Sequence, residues 1–229
     1  MPRAARRRPA HPAPVEPQHA APSIRPFDGG PPHVESARLG PERTAQLRAA
    51  ARRNGATVQA ALCAVAAEAL STATRRPTIR INAPIDLRSA LGLEDDVVNR
   101  FTATTVALTT SPDRTTWDLV REAARQLRTA RRSARDTALA LASMQPADAL
   151  EAEAAMLSAT SSDLEITNLG VAHAPSAVRA LWGPTMTTQV RDERILGVVT
   201  HADALRMTLT SHDHPAGLAA DILGRRERL

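Results

Sequence analysis

Between Thr57 and Arg88 the apolar residues change period from that of a helix to that of a strand. In VQAALCAVAAEAL, residues Val58, Ala61, Leu62, Val65, Ala66, Ala69 and Leu70 recur at intervals of three and four and form one continuous buried stripe. Thr57 stands where a helix cap is needed. In TIRINAPIDLR, just downstream, Ile79, Ile81, Ala83, Ile85 and Leu87 alternate with polar neighbours, as on a sheet with one buried face. Pro84 interrupts that run and predicts a bend or an edge. A helix of small residues feeding directly into such a strand calls for a layered α/β body.

The remaining pattern extends this body. Pro41-Glu42-Arg43 opens a helix that Asn54-Gly55 stops. A loop through Asp95-Asp96 leads to a strand over 101–108. A long helix follows from about Thr115, with Trp117, Val120, Ala124 and Leu127 on its apolar face, and then a helical stretch over 147–157. Strands are predicted over 164–168, 178–182, 195–200 and 205–211, and a helix over 215–226 closes the chain. The fold class expected is α/β, a layered mixed sheet with flanking helices. Residues 1–34, rich in Pro, Ala, Arg and His without any period, read as a disordered arm, and 35–229 as the folded domain.

Composition limits the function classes. All 29 basic residues are Arg, and the sequence is rich in Ala, so arginine content alone points to no partner. Much of the +5 net charge sits in MPRAARRR at the start. That tail has no aromatics to stack on bases, which disfavours nucleic acid as a partner. Aromatics make up 2% of the chain and Tyr is absent, so the core must be built from Ala, Val, Leu and Ile. Cys63 is the single cysteine and lies in the apolar helix. It reads as a small buried hydrophobe, and the lack of a second cysteine fits a reducing cytoplasm. No apolar run follows the first arginines. The most apolar helix is too short to span a bilayer and carries Glu68, so no membrane span is expected.

Three constellations could carry chemistry. In ITNLG, Asn168 and Gly170 end a strand placed to be central. A turn would explain them, and so would a ligand that approaches the backbone closely. Asp86 and Arg88, two apart at the end of a strand, are either a surface ion pair or a charged pair guarding a cleft. Arg121, Arg125, Arg128 and Arg132 fall on one face of the long helix. They form either a solvated face or a stripe that docks an acidic carrier protein or a cofactor phosphate. In Ser211-His212-Asp213-His214, sequence neighbours point to opposite faces and cannot form a triad by themselves. His212 and His214, which can face one way, could hold a metal with His201 and Asp203, or the stretch is a plain turn in which Asp213 or His214 caps the last helix. The turn is the reading adopted, and no metal is expected.

Taken in order, LGPERTAQLRAAARRNGATVQAALCAVAAEAL, INAPIDLR, VVNRF, ITNLG and ILGVVTHADALRMTLTSHD resemble the C-terminal half of the condensation-domain and CoA-dependent acyltransferase superfamily. Within it, the chain looks most like the C-terminal domain of phthiocerol/phthiodiolone dimycocerosyl transferases. The resemblance implies half of a chloramphenicol acetyltransferase-like fold of two subdomains with the active site between them. It implies transfer of an acyl group from CoA or a carrier protein's phosphopantetheine to an alcohol, in polyketide or lipid ester synthesis, with no cofactor held permanently. The family's catalytic His lies in an HHxxxDG motif of the other half. No two adjacent His residues occur here, and His33 is followed by VESA. The expectation is therefore a truncated half-enzyme, inactive alone, whose partner is an N-terminal half-domain or an acyl carrier protein. The other reading is a non-catalytic module that binds a carrier protein or acyl chain. By this resemblance Asn168 and Gly170 line the substrate channel, and Asp86 and Arg88 lie near the interface between the halves.

Overall fold

The computed structural model describes residues 22–93, 100–143, 146–213, 216–225 and 229. Its elements run β1 (His33–Leu39), α1 (Pro41–Arg53), α2 (Val58–Thr74), β2 (Thr78–Asp86), α3 (Arg88–Leu91), β3 (Phe101–Thr109), α4 (Thr116–Ser143), α5 (Ala149–Thr160), β4 (Leu164–Val171), β5 (Arg194–His201), β6 (Ala204–Ser211) and α6 (Leu218–Arg225). The strands form one six-stranded mixed sheet in the order β1-β6-β5-β4-β2-β3. β2–β4 and β4–β5 are parallel, and the other pairs are antiparallel.

The core is the layer between this sheet and helices α1, α2, α4 and α6, with α2 at its centre. The sequence pattern predicts one apolar stripe on α2. The structure instead buries every residue from Gln59 to Ala67, so nearly the whole circumference is covered. Alanine makes this possible, because small side chains let α4, α6 and the sheet approach α2 closely. Glu68, the charge in that helix, accepts a hydrogen bond from the Thr116 hydroxyl at 2.7 Å. Cys63 is fully buried, and burial pushes its thiol up to about 12, so it stays a neutral packing group.

The expected strand over 178–182 does not form. That segment belongs to an irregular crossing, 172–189, between β4 and β5. The crossing lies over the face of the sheet opposite the helices, with its backbone directly on β5. A Cβ on Gly183 would fall on the backbone of Gly197 and Val198, and one on Gly197 would fall on Pro184. Thr208 donates its hydroxyl to the carbonyls of Gly183 and Pro184. The segment's backbone groups meet the sheet face rather than a ladder, so the apolar run Val178, Ala180, Leu181, Trp182 never becomes a strand.

The sequence pattern missed β1, the short helix α3 and a bridge at Ile24. β1 begins inside the stretch assigned to the arm and forms the sheet edge beside β6. Ile24, also in that stretch, bridges Val190. Residues 1–21 lie outside the described residues, as do Asp95, Asp96 and His214. α6 is capped from β1: the Glu35 carboxylate accepts from the backbone N–H of Gly217 at 2.6 Å and of Ala219 at 3.1 Å. Asp213, placed at that cap from sequence, donates its own N–H to the Ser211 hydroxyl instead. At the start of β2 and β4, Asp163 is buried, pairs with Arg76 and accepts the backbone N–H of Arg80 at 2.7 Å.

Candidate functional site

β2 and β4 are paired at Ile81–Leu164 and Asn82–Glu165 and then part. β4 continues along β5, while β2 continues along β3. Pro84, which has no N–H, sits where β2 has lost its β4 partner, so it lies inside the strand and costs no ladder bond on that side. Gln59, in the first turn of α2, reaches into the gap and donates its Nε2 to the Ile166 carbonyl of β4 at 3.2 Å. Its Oε1 is buried with no partner among the described residues. An amide side chain thus stands where a strand would have stood.

The gap opens a cavity of about 250 Å³. Its walls include Pro84 and Ile85 of β2, Asn168 and Gly170 of β4, Gln59 of α2, and Arg131 of α4. The N-terminal turn of α2, capped by Thr57, also lines it and brings the positive end of that helix. No carboxylate, imidazole or thiol is among the lining residues. The cavity can hold a ligand but contains no group to take a proton from one.

Of the two explanations of ITNLG, the turn is what the structure shows. The Asn168 Oδ1 accepts the Gly170 N–H at 2.8 Å, a local turn bond. Gly170 has φ +73, and a Cβ there would meet nothing within 4 Å. Glycine is therefore required by the left-handed backbone, and open space lies beside it. The register with β5 shifts between Asn168 and Val171, which leaves Leu169 59% and Val171 56% exposed. Phe101, paired with Asp86 at the same end of the sheet, is 59% exposed.

Asp86 and Arg88 meet, but not as two residues of one strand. β2 ends at Asp86, and Arg88 opens α3. The Arg88 Nη2 lies 2.7 Å from the carboxylate, and the Arg88 backbone N–H donates to it at 3.0 Å. These hydrogen bonds from the Arg88 side chain and backbone hold the Asp86 carboxyl below its ordinary range. The pair stands at the cleft end of β2 without lining the cavity. The four stripe arginines are all exposed on α4. Arg121 pairs with Asp118, Arg128 donates to the Gly55 carbonyl and Arg132 to the Thr129 hydroxyl. Arg125 has no partner among the described residues. The arginine at the cavity, Arg131, is outside the stripe. No group of three or more His, Cys, Asp or Glu suited to a metal occurs among the described residues. Gln59 escaped sequence reasoning because a glutamine in a helix's first turn reads as a solvated position.

The family model for the phthiocerol/phthiodiolone dimycocerosyl transferase C-terminus matches residues 28–191. No curated protein matches in sequence. Among solved structures, polyketide synthase associated protein 5 from Mycobacterium tuberculosis is similar at 14% identity and TM-score 0.58, over 93% of this chain and 53% of that one. A nonribosomal peptide synthetase, FmoA3, is similar at 20% identity and TM-score 0.62, over 90% of this chain and 22% of that one. A structure concerning condensation domain-mediated chain release from the enacyloxin polyketide synthase is similar at 15% identity and TM-score 0.58, over 86% and 40%. This chain therefore spans about half or less of the solved chains it resembles. No single helix among its described residues is long and apolar enough to cross a membrane.

Proposed function

This chain belongs to the phthiocerol/phthiodiolone dimycocerosyl transferase C-terminus family, and on that premise we propose that it is the C-terminal lobe of an acyltransferase that moves an acyl group from CoA or a carrier protein to an alcohol. In that reaction the alcohol oxygen attacks the thioester carbonyl, the C–S bond breaks and the thiol leaves with a proton. The base for the alcohol proton would come from an N-terminal lobe bearing HHxxxDG. This lobe would supply the wall: the β2/β4 cleft would seat the thioester arm, with Arg131 and the N-terminal turn of α2 available to its carbonyl or anionic groups.

The observation that carries the reading is the end of the sheet where β2 and β4 part. A cavity without acid–base groups opens there, beside the exposed apolar side chains of Phe101, Leu169 and Val171. A lobe that finishes its active site against another lobe should have this combination of a binding wall and an uncovered apolar rim. The test is to mix the 229-residue chain with an N-terminal lobe from a dimycocerosyl transferase, an acyl-CoA and a long-chain alcohol. Ester is expected from the mixture and none from the chain alone. Failure of the two lobes to associate, together with no acyl-CoA binding by this chain, would overturn the proposal.

The non-catalytic alternative draws on Arg125, the exposed stripe residue without a partner. On that reading Arg125→Glu weakens association with an acidic carrier protein. Arg128 is a poorer probe, because its charge also holds the turn at Gly55. Unchanged association in Arg125→Glu would remove the stripe from consideration.

A further inference from the structure

His201 ends β5 and is 7% exposed. Its two ring nitrogens face two backbone carbonyls of the crossing segment. Nδ1 lies 3.2 Å from the Ala172 oxygen, and Nε2 lies 3.2 Å from the Val178 oxygen. Carbonyl oxygens only accept. A neutral imidazole has one N–H and one lone pair, so it can serve one of these carbonyls and must turn its lone pair against the other. The imidazolium has two N–H groups and satisfies both.

The site around the ring is otherwise fixed. Ala202 and Asp203, both at positive φ, make the tight turn that returns β5 to β6. The buried Arg206 of β6 donates to the His201 and Ala204 carbonyls. Ala172 is tied to the end of β5 by its N–H to the Thr200 carbonyl at 2.8 Å, and Val178 closes a turn on Pro175. The stretch between them, 172–178, directly continues β4 past Gly170 and Val171. The ring therefore grips both ends of the loop that extends the cleft wall.

We propose that His201 is a positioning residue that clamps the 172–178 loop through two charge-assisted hydrogen bonds. The clamp is complete when the ring is charged, and it lets go of one carbonyl as rising pH neutralises the ring. The other charged or titratable groups on the elements that meet it are Arg206 on β6, Asp203 in the turn, and His173 and Arg179 on the crossing segment. The inference rests on backbone geometry and is independent of the acyl-transfer reading.

The test is nitrogen NMR of histidine-labelled full-length chain across pH 5.5–8.5, read with hydrogen exchange of the loop amides. At low pH the His201 ring is expected to show two protonated nitrogens protected from solvent. As the ring neutralises, exchange at the Val178 amide, corrected for its intrinsic pH dependence, should rise about tenfold, the effect of losing one charged hydrogen bond. Exchange in β6 should not change. His201→Gln, which can serve one carbonyl and carries no charge, should give the fast loop exchange at every pH. A ring that stays neutral throughout, or loop exchange that ignores the ring's titration, overturns the clamp. Should His201→Gln fail to fold, the wild-type titration alone decides.

Discussion

Two parts of the sheet, the β6-β5 pair and the β2-β3 pair, are built on opposite terms. In the first, β5 and β6 are covered on both faces: the helical layer, with α1 and α6 against β6, lies below them, the 172–189 crossing lies above, and no residue of either strand is exposed. In the second, β2 and β3 have helices on one face, and the outward residues of β3 are exposed. β4 stands between and belongs to both, paired with β5 over most of its length and with β2 for two residues. The covered half is a finished core. The open half has a parted strand pair, a cavity and uncovered apolar side chains.

Substitutions can break this contrast, and the crossing of Gly183 over Gly197 should be the most sensitive point. Gly197→Val forces a side chain into Pro184, backbone and ring, and stability in urea is expected to fall by about 3 kcal/mol or more. Wild-type stability in that variant would mean that the crossing does not lie on β5. Next come matched truncations: Leu209→Ala in the covered half should cost about 3 kcal/mol. Leu169→Ala at the open end should stay within about 0.5 kcal/mol, yet weaken binding of a second lobe. Equal losses in the two variants would erase the distinction between the halves.

Gln126 tests how the open half protects its edge. Its Nε2 donates to the Ala107 carbonyl at 2.9 Å and its Oε1 accepts the Ala107 N–H at 3.1 Å, so one side-chain amide stands in for a neighbouring strand. Gln126→Ala should cost about 1 kcal/mol and promote self-association, measurable by sedimentation. The smallest effect belongs to Asp86. Its folded carboxyl is depressed below the ordinary 3.8 by Arg88, so its contribution is complete above that value and disappears as pH falls through the lower folded one. Both side chains are largely exposed, so the loss relative to Asp86→Asn should stay below about 0.5 kcal/mol in acid titration of unfolding.

Where sequence reading succeeded, a local period matched a tertiary face. β2 is legible because its apolar positions repeat at the spacing that its environment buries, whereas the periods of α2 and β6 mark the right elements but understate their burial, which is complete or nearly so on every side. The family resemblance was likewise legible, because INAPIDLR and ITNLG fall on the strands that part. The failures are all places where a distant residue decides. The run at 178–182 looks like a strand until Gly183 and Gly197 are known to touch. β1, whose first two residues fall in the stretch read as arm, goes unrecognised as a strand because an edge strand with mostly exposed side chains carries little pattern. Gln59 lines the cavity because Ile166, far along the chain, has parted from β2 at that point, and the cap of α6 comes from Glu35.

That cap has a consequence for the order in which the molecule can assemble. β1 is the first element of the sheet, yet its partner is β6, and Glu35 holds the amides of Gly217 and Ala219, 182 and 184 residues away. As the chain emerges from a ribosome, α1, α2 and the β2–β3 hairpin can form from neighbours in sequence. β1 must wait for nearly the whole chain, because closing so long a loop comes before any contact that rewards it. The covered half is therefore the last to be completed, and a nascent chain that ends before α6 would have to leave one sheet edge and the end of α2 uncovered.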